Sequence, residues 1–164
     1  MSAVSAILFF SLAISSSSSS LTSASYGASG SFFRAGEFAL SILAFDGKPG
    51  EPAEELAFLK KTMAVGAGFD FSAGDLDGIW NEGTAQMALC CLKQGMNDEY
   101  HALLGYLKTQ EYKDGGIPAA DRDGVSTGFL LSGTQQLWEY NNTLSIGATG
   151  WYALAQLQAD PLAH

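Results

Sequence analysis

The chain has 164 residues, 47% of them hydrophobic and 12% aromatic, and a formal net charge of −9. It is too apolar for a disordered chain and long enough to bury one core. Eight Lys and Arg scattered among 17 acidic residues give no basic footprint of the kind nucleic acid requires. The two cysteines, Cys90 and Cys91, are neighbours in an apolar stretch. Adjacent helical side chains diverge, which argues against a disulfide or a metal pair and for buried thiols.

The first 25 residues carry an apolar run from Ala6 to Ile14, six serines, and the small-residue patch Thr22-Ser23-Ala24-Ser25. The run is too short to span a bilayer. It reads either as an export signal lacking its basic n-region, which would make the protein a secreted one, or as the remnant of an earlier helix in a shortened chain. Asn141-Asn142-Thr143 would accept a glycan only in a eukaryotic secretory setting. The remaining domain is expected over 26–164.

Ser31 to Phe45 predicts a first helix with apolar residues on every face, and Asp46-Gly47-Lys48-Pro49-Gly50 ends it in a turn. A second helix opens at Glu51-Pro52 and is one-sided. Leu56, Leu59 and Met63 form its stripe, with Ala53, Ala57 and Ala64 beside it, and Glu54, Glu55, Lys60 and Lys61 lie opposite. The loop from Gly66 to Gly78 holds Asp70, Asp75 and Asp77, whose spacing lacks the ligand pattern of a calcium loop and reads as turn chemistry, so no metal is expected.

Ile79-Trp80-Asn81-Glu82-Gly83-Thr84-Ala85-Gln86-Met87-Ala88-Leu89-Cys90-Cys91-Leu92 then predicts a helix apolar on all sides, with Glu82 in its first turn, where free N–H groups favour an anion. It stops near Gly95. Asn97-Asp98-Glu99 opens a one-sided helix with Tyr100, Leu103, Leu104 and Leu107 on its stripe. Residues 111–142 form a long connection with no strand beyond a short pairing near Phe129 to Leu131. Trp138-Glu139-Tyr140 leads into a third all-apolar helix over Thr143 to Leu157. The three all-apolar helices align at Gly36, Gly83 and Gly147. Their alternation with one-sided helices predicts an all-α fold of antiparallel hairpins in an inner and an outer layer.

The alternation, Trp80-Asn81-Glu82-Gly83 at the head of an inner-type helix, Gly115-Gly116-Ile117-Pro118, and Trp151 in the last helix together resemble part of an (α/α)6 toroid of the six-hairpin glycosidase type, over Gly30 to Ala163. Glu82-Gly83 followed by Met87 is similar to the segment carrying the general acid in glycoside hydrolase family eight. The resemblance implies a carbohydrate substrate, no cofactor, and Glu82 as acid, with the second carboxylate among Asp77, Asp121, Asp123 and Glu139. Trp80, Asn81, Trp138, Tyr140 and Asn142 are the candidate sugar contacts, the aromatic ones because flat apolar rings suit pyranose faces.

Two other readings stand beside this one. Glu82 caps its own helix, in a non-catalytic scaffold or sugar-binding module. Alternatively, the fold is that of a polysaccharide lyase using Tyr140, Asn141 and Asn142. Trp151 reads as core and Arg122 as tied into local salt bridges. Six hairpins at this spacing require roughly 300 residues and about three are present, so the chain is expected to be a fragment or a half-ring that self-associates through its apolar flank.

Overall fold

A computed structural model describes residues 53–162 of the chain. The expectations for residues 1–52, including the export signal or remnant, the helix at Gly36 and the Glu51-Pro52 helix start, lie outside the described residues. So does the half of the toroid comparison that rests on them.

Four helices occur among the described residues: α1 (Ala53–Met63), α2 (Asn81–Lys93), α3 (Asn97–Gln110) and α4 (Ile146–Gln156). Between them lie two antiparallel two-stranded sheets, β1 (Ala64–Val65) with β2 (Gly68–Phe69) and β3 (Val125–Leu130) with β4 (Leu137–Tyr140). The expected all-α fold is therefore wrong: the chain is a mixed helix-and-strand structure. The expectation failed at the short β1–β2 pair and, chiefly, in the 111–142 connection. Val125 to Phe129 is rich in β-branched and aromatic residues, and Leu137-Trp138-Glu139-Tyr140 pairs with it at Val125–Tyr140, Ser126–Glu139 and Leu130–Leu137. A register shift between Ser126 and Leu130 contains Gly128, at φ +74°, and it breaks the alternation that would have marked the strand.

The stripes read from the sequence do bury. Leu56, Leu59 and Met63 of α1 and Tyr100, Leu103 and Leu107 of α3 join one core with Ala85 to Cys91 of α2. α2 is enclosed almost all round, as its apolar faces require. It ends in a turn at Gly95, whose φ of +75° suits glycine. Cys90 and Cys91 are buried thiols, not joined in a disulfide.

Direction follows from the ends. At the head of α2, the Asn81 N–H donates to Ala119 O, and the Ala119 N–H donates to Thr143 O just before α4. The Ser145 N–H, at the N-cap of α4, donates to Ile117 O. At the other end, Lys93 of α2 pairs with Asp160, beyond α4, at 3.1 Å. α2 and α4 therefore lie side by side and point the same way, with α3 returning antiparallel to them. The Tyr100 hydroxyl of α3 donates to Ala155 O of α4 at 2.8 Å, in the buried interior.

Gly115-Gly116-Ile117-Pro118 is the strap between the two helix heads. Gly115, at φ +93°, turns the chain, and a Cβ on Gly116 would strike Leu144. Ile117 is fully buried and Pro118 pairs with Leu144. No helix among the described residues is long and apolar enough to cross a membrane.

Candidate functional site

The heads of α2 and α4 meet, and Glu82 lies between them. Its carboxyl rests on the first turn of α4 against Gly147, where any Cβ would collide with it. Burial raises its pKa, and no hydrogen bond or charged partner offsets that among the described residues. The capping role is thus not taken up: Glu82 accepts nothing from its own helix. Ser145 does cap α4, accepting from the Ala148 N–H at 3.2 Å.

Gly83 and Gly147 explain the alignment seen in the sequence. Each allows a side chain to lie flat on the first turn of a helix. A Cβ on Gly83 would collide with the Trp80 indole, just as one on Gly147 would collide with Glu82.

The other predicted carboxylates have holding duties. Both Asp77 oxygens accept from the Ser126 N–H at 3.1–3.2 Å, which ties the loop before α2 to β3. Asp121 Oδ1 accepts from the Ile79 N–H at 2.9 Å and its carboxylate binds Arg122 at 2.7 Å. Burial works against the charged form of Asp121, but the Arg122 and Ile79 bonds outweigh it and hold the pKa below the usual value. Asp123 accepts from the Asn142 N–H at 2.8 Å. Glu139 is exposed on β4, on the strand face opposite Trp138 and Tyr140 rather than in a lead-in to α4.

The predicted sugar contacts divide in the same way. Asn81 is fully buried. Its amide donates to Pro118 O at 3.0 Å and accepts from the Tyr106 hydroxyl at 3.0 Å, so it clamps the strap to α2. Asn142 accepts from the Tyr112 hydroxyl and donates to Ala120 O, and Asn141 accepts from the Gly124 N–H. These bonds occupy the asparagines that a lyase reading needs.

Trp80 is buried rather than open to a cleft, because Tyr140 of β4 stacks over it at 5.8 Å and 20°. Trp138 lies 5.9 Å beyond Tyr140 and is 49% exposed. Phe71 closes the cluster edge-on to Trp80 at 4.8 Å. The three rings Trp80, Tyr140 and Trp138 therefore run from the core to the surface.

One feature escaped the sequence reading, and a second was read there only as turn chemistry. Gln86, one turn beyond Glu82 on the same face of α2, is buried with Oε1 lacking any partner, as is Trp80 Nε1. The i, i+4 spacing from Glu82 was the available signal. Second, the 70–78 loop folds Asp70, Asp75 and Asp77 so that their oxygens lie within 4.8 Å of one another. Such a trio has the donor set of a hard cation. Burial and the neighbouring acids push Asp70 up to about 6, although it accepts from the Phe71 and Gly78 N–H groups.

No protein family, curated protein or solved structure matches the chain. Its function therefore rests on the site alone.

Proposed function

We propose that the chain is a carbohydrate-active domain in which Glu82, in its protonated form, donates a proton to a glycosidic oxygen held at the joint head of α2 and α4. One observation carries this reading: Glu82 is a desolvated carboxyl with a raised pKa, no hydrogen-bond partner among the described residues, and a glycine cut away in front of it. A carboxyl that served only the fold would be bonded, as Asp77, Asp121 and Asp123 are. The exposed Trp138 ring, backed by Tyr140, offers an apolar platform for a pyranose. The buried acceptor of Gln86 is a second polar group on the Glu82 face.

A second reading is favoured by a specific observation. Hydrolysis requires a second carboxylate beside the first, and three of the four candidates are consumed by backbone hydrogen bonds or Arg122. That supports a sugar-binding module in which Glu82 recognises a hydroxyl rather than breaking a bond. The two readings separate on one pair of assays, calorimetric titration with soluble neutral oligosaccharides and release of reducing ends from them. Binding with release supports the hydrolase, binding without release the module, and neither would remove carbohydrate from the account. A second copy of the chain is the other partner we propose.

A further inference from the structure

A polar atom enclosed without a partner destabilises a fold, and an apolar side chain of similar shape avoids that cost. Among the described residues two side-chain atoms are enclosed in this way, Trp80 Nε1 and Gln86 Oε1. Both belong to the end of α2 that carries Glu82. The Trp80 ring has a packing duty against Gly83, Phe71 and Tyr140 that accounts for its place. Gln86, only 3% exposed, has no such account, since a methionine or leucine would fill the site without an orphaned oxygen.

Gln86 follows Glu82 by four residues within one helix, Asn81–Lys93. At that spacing Cβ atoms lie about 5–6 Å apart, and helical side chains lean toward the N-terminus, so the Gln86 amide reaches back toward Glu82. An ionised carboxylate and an amide oxygen are both acceptors and repel. A protonated carboxyl supplies the donor that Gln86 Oε1 lacks. Among the described residues no charged group competes for this place. Glu82 is the acid in the first turn of α2 and Lys93 lies at the far end, while α4 and the strap Gly115-Gly116-Ile117-Pro118 carry no charge. Nearby titratable groups are engaged elsewhere: Tyr106 with Asn81, Tyr100 with Ala155, Tyr152 with Glu111 and Asp121 with Arg122. Asp114, before the strap, is exposed.

We propose that Gln86 is the positioning residue of the acid: protonated Glu82 donates its O–H to Gln86 Oε1, which keeps the proton at the head of α2 until a sugar oxygen takes it. The purpose of the pair rests on the reading of Glu82 as a proton donor, but the pair itself exists without any sugar. In the step it serves, the electron pair of the glycosidic C–O bond leaves with the departing oxygen, which gains the Glu82 proton. Water adds its hydroxyl to the anomeric carbon, and its remaining proton returns to Glu82. The amide oxygen facing the newly formed carboxylate favours that return.

The test is a carbon-13 NMR titration of the Glu82 carboxyl in the full chain, free of sugar, for the parent and for Gln86→Met. Methionine keeps the length of the side chain and removes the acceptor. It also makes the surroundings more apolar, which alone would push the carboxyl further up. Loss of the pair acts the other way, so Gln86→Met is expected to titrate below the parent, and the alkaline limb of reducing-end release to move down with it. A midpoint unchanged or raised would overturn the pair. Glu82→Gln checks it without relying on the folding of Gln86→Met. The introduced amide stands where the O–H stood and is expected to exchange its hydrogens more slowly than the exposed amide of Gln135. Exchange as fast as that of Gln135 would overturn the pair as well. Absence of release by the parent bears on Glu82 as the acid and not on the pair, which the sugar-free titration decides.

Discussion

Gly147→Ala is the most informative single change, because it moves the Glu82 carboxyl without emptying the core. The new methyl would overlap Glu82 Oε2. The colliding atom is the tip of a flexible side chain, so Glu82 rotates away, at about 0.5–1.5 kcal/mol for a strained rotamer. Alanine in place of glycine in a helix returns up to about 1 kcal/mol. The two effects nearly cancel, and the melting temperature is expected to move by only a few degrees. Function responds differently, since displacing a proton donor by about 1 Å costs on the order of 10²-fold in rate. Thermal denaturation run beside reducing-end release reads both quantities. An unfolded variant would refute the packing argument, and a stable variant with parental turnover would refute the placement of Glu82 at the reacting bond.

Other changes probe separate joints of the structure. Gly83→Ala drives a methyl into the buried Trp80 ring, which has no room to leave, and is expected to cost about 1–3 kcal/mol in chemical denaturation. Trp138→Ala, at a half-exposed ring, should leave stability nearly unchanged while weakening oligosaccharide binding measured by calorimetry. Asp70 titrates at about 6 in the folded chain against 3.8 ordinarily. The native state thus holds a proton that the unfolded state has released, and its contribution to stability falls as pH rises from about 4 to 6. Asp70→Asn is expected to stabilise the protein by up to about 3 kcal/mol above pH 6 and by little at pH 4, as followed by urea melts at both pH values. Tyr100→Phe removes the bond to Ala155 O and should cost about 1 kcal/mol.

The helices were legible because their stripes repeat at 3.6 residues over about two turns. Leu56, Leu59 and Met63, and likewise Tyr100, Leu103 and Leu107, turn inward where the spacing puts them. Gly83 and Gly147 were recognisable as a pair from the sequence, but what each glycine makes room for was not. The β3–β4 hairpin stayed hidden for a physical reason. Four residues of β4 and a bulge at Gly128 leave no period to read, and the strands are fixed by distant partners, such as Asp77 beneath Ser126, 49 positions away. That hairpin also decides the site, since Tyr140 covers Trp80 and leaves Trp138 as the outer ring. The all-apolar reading of α4 implied enclosure, yet Ile146 and Leu157 face outward. Periodicity reports how apolar a face is, not whether another element has come to meet it.

Replacing Glu82 with glutamine tests its role as the acid while keeping shape and burial. Reducing-end release by Glu82→Gln and by the parent, measured on the same soluble neutral glycans, is expected to differ by about 10²–10⁴-fold with oligosaccharide binding retained. Equal release by the two proteins would contradict the assignment of Glu82 as the acid.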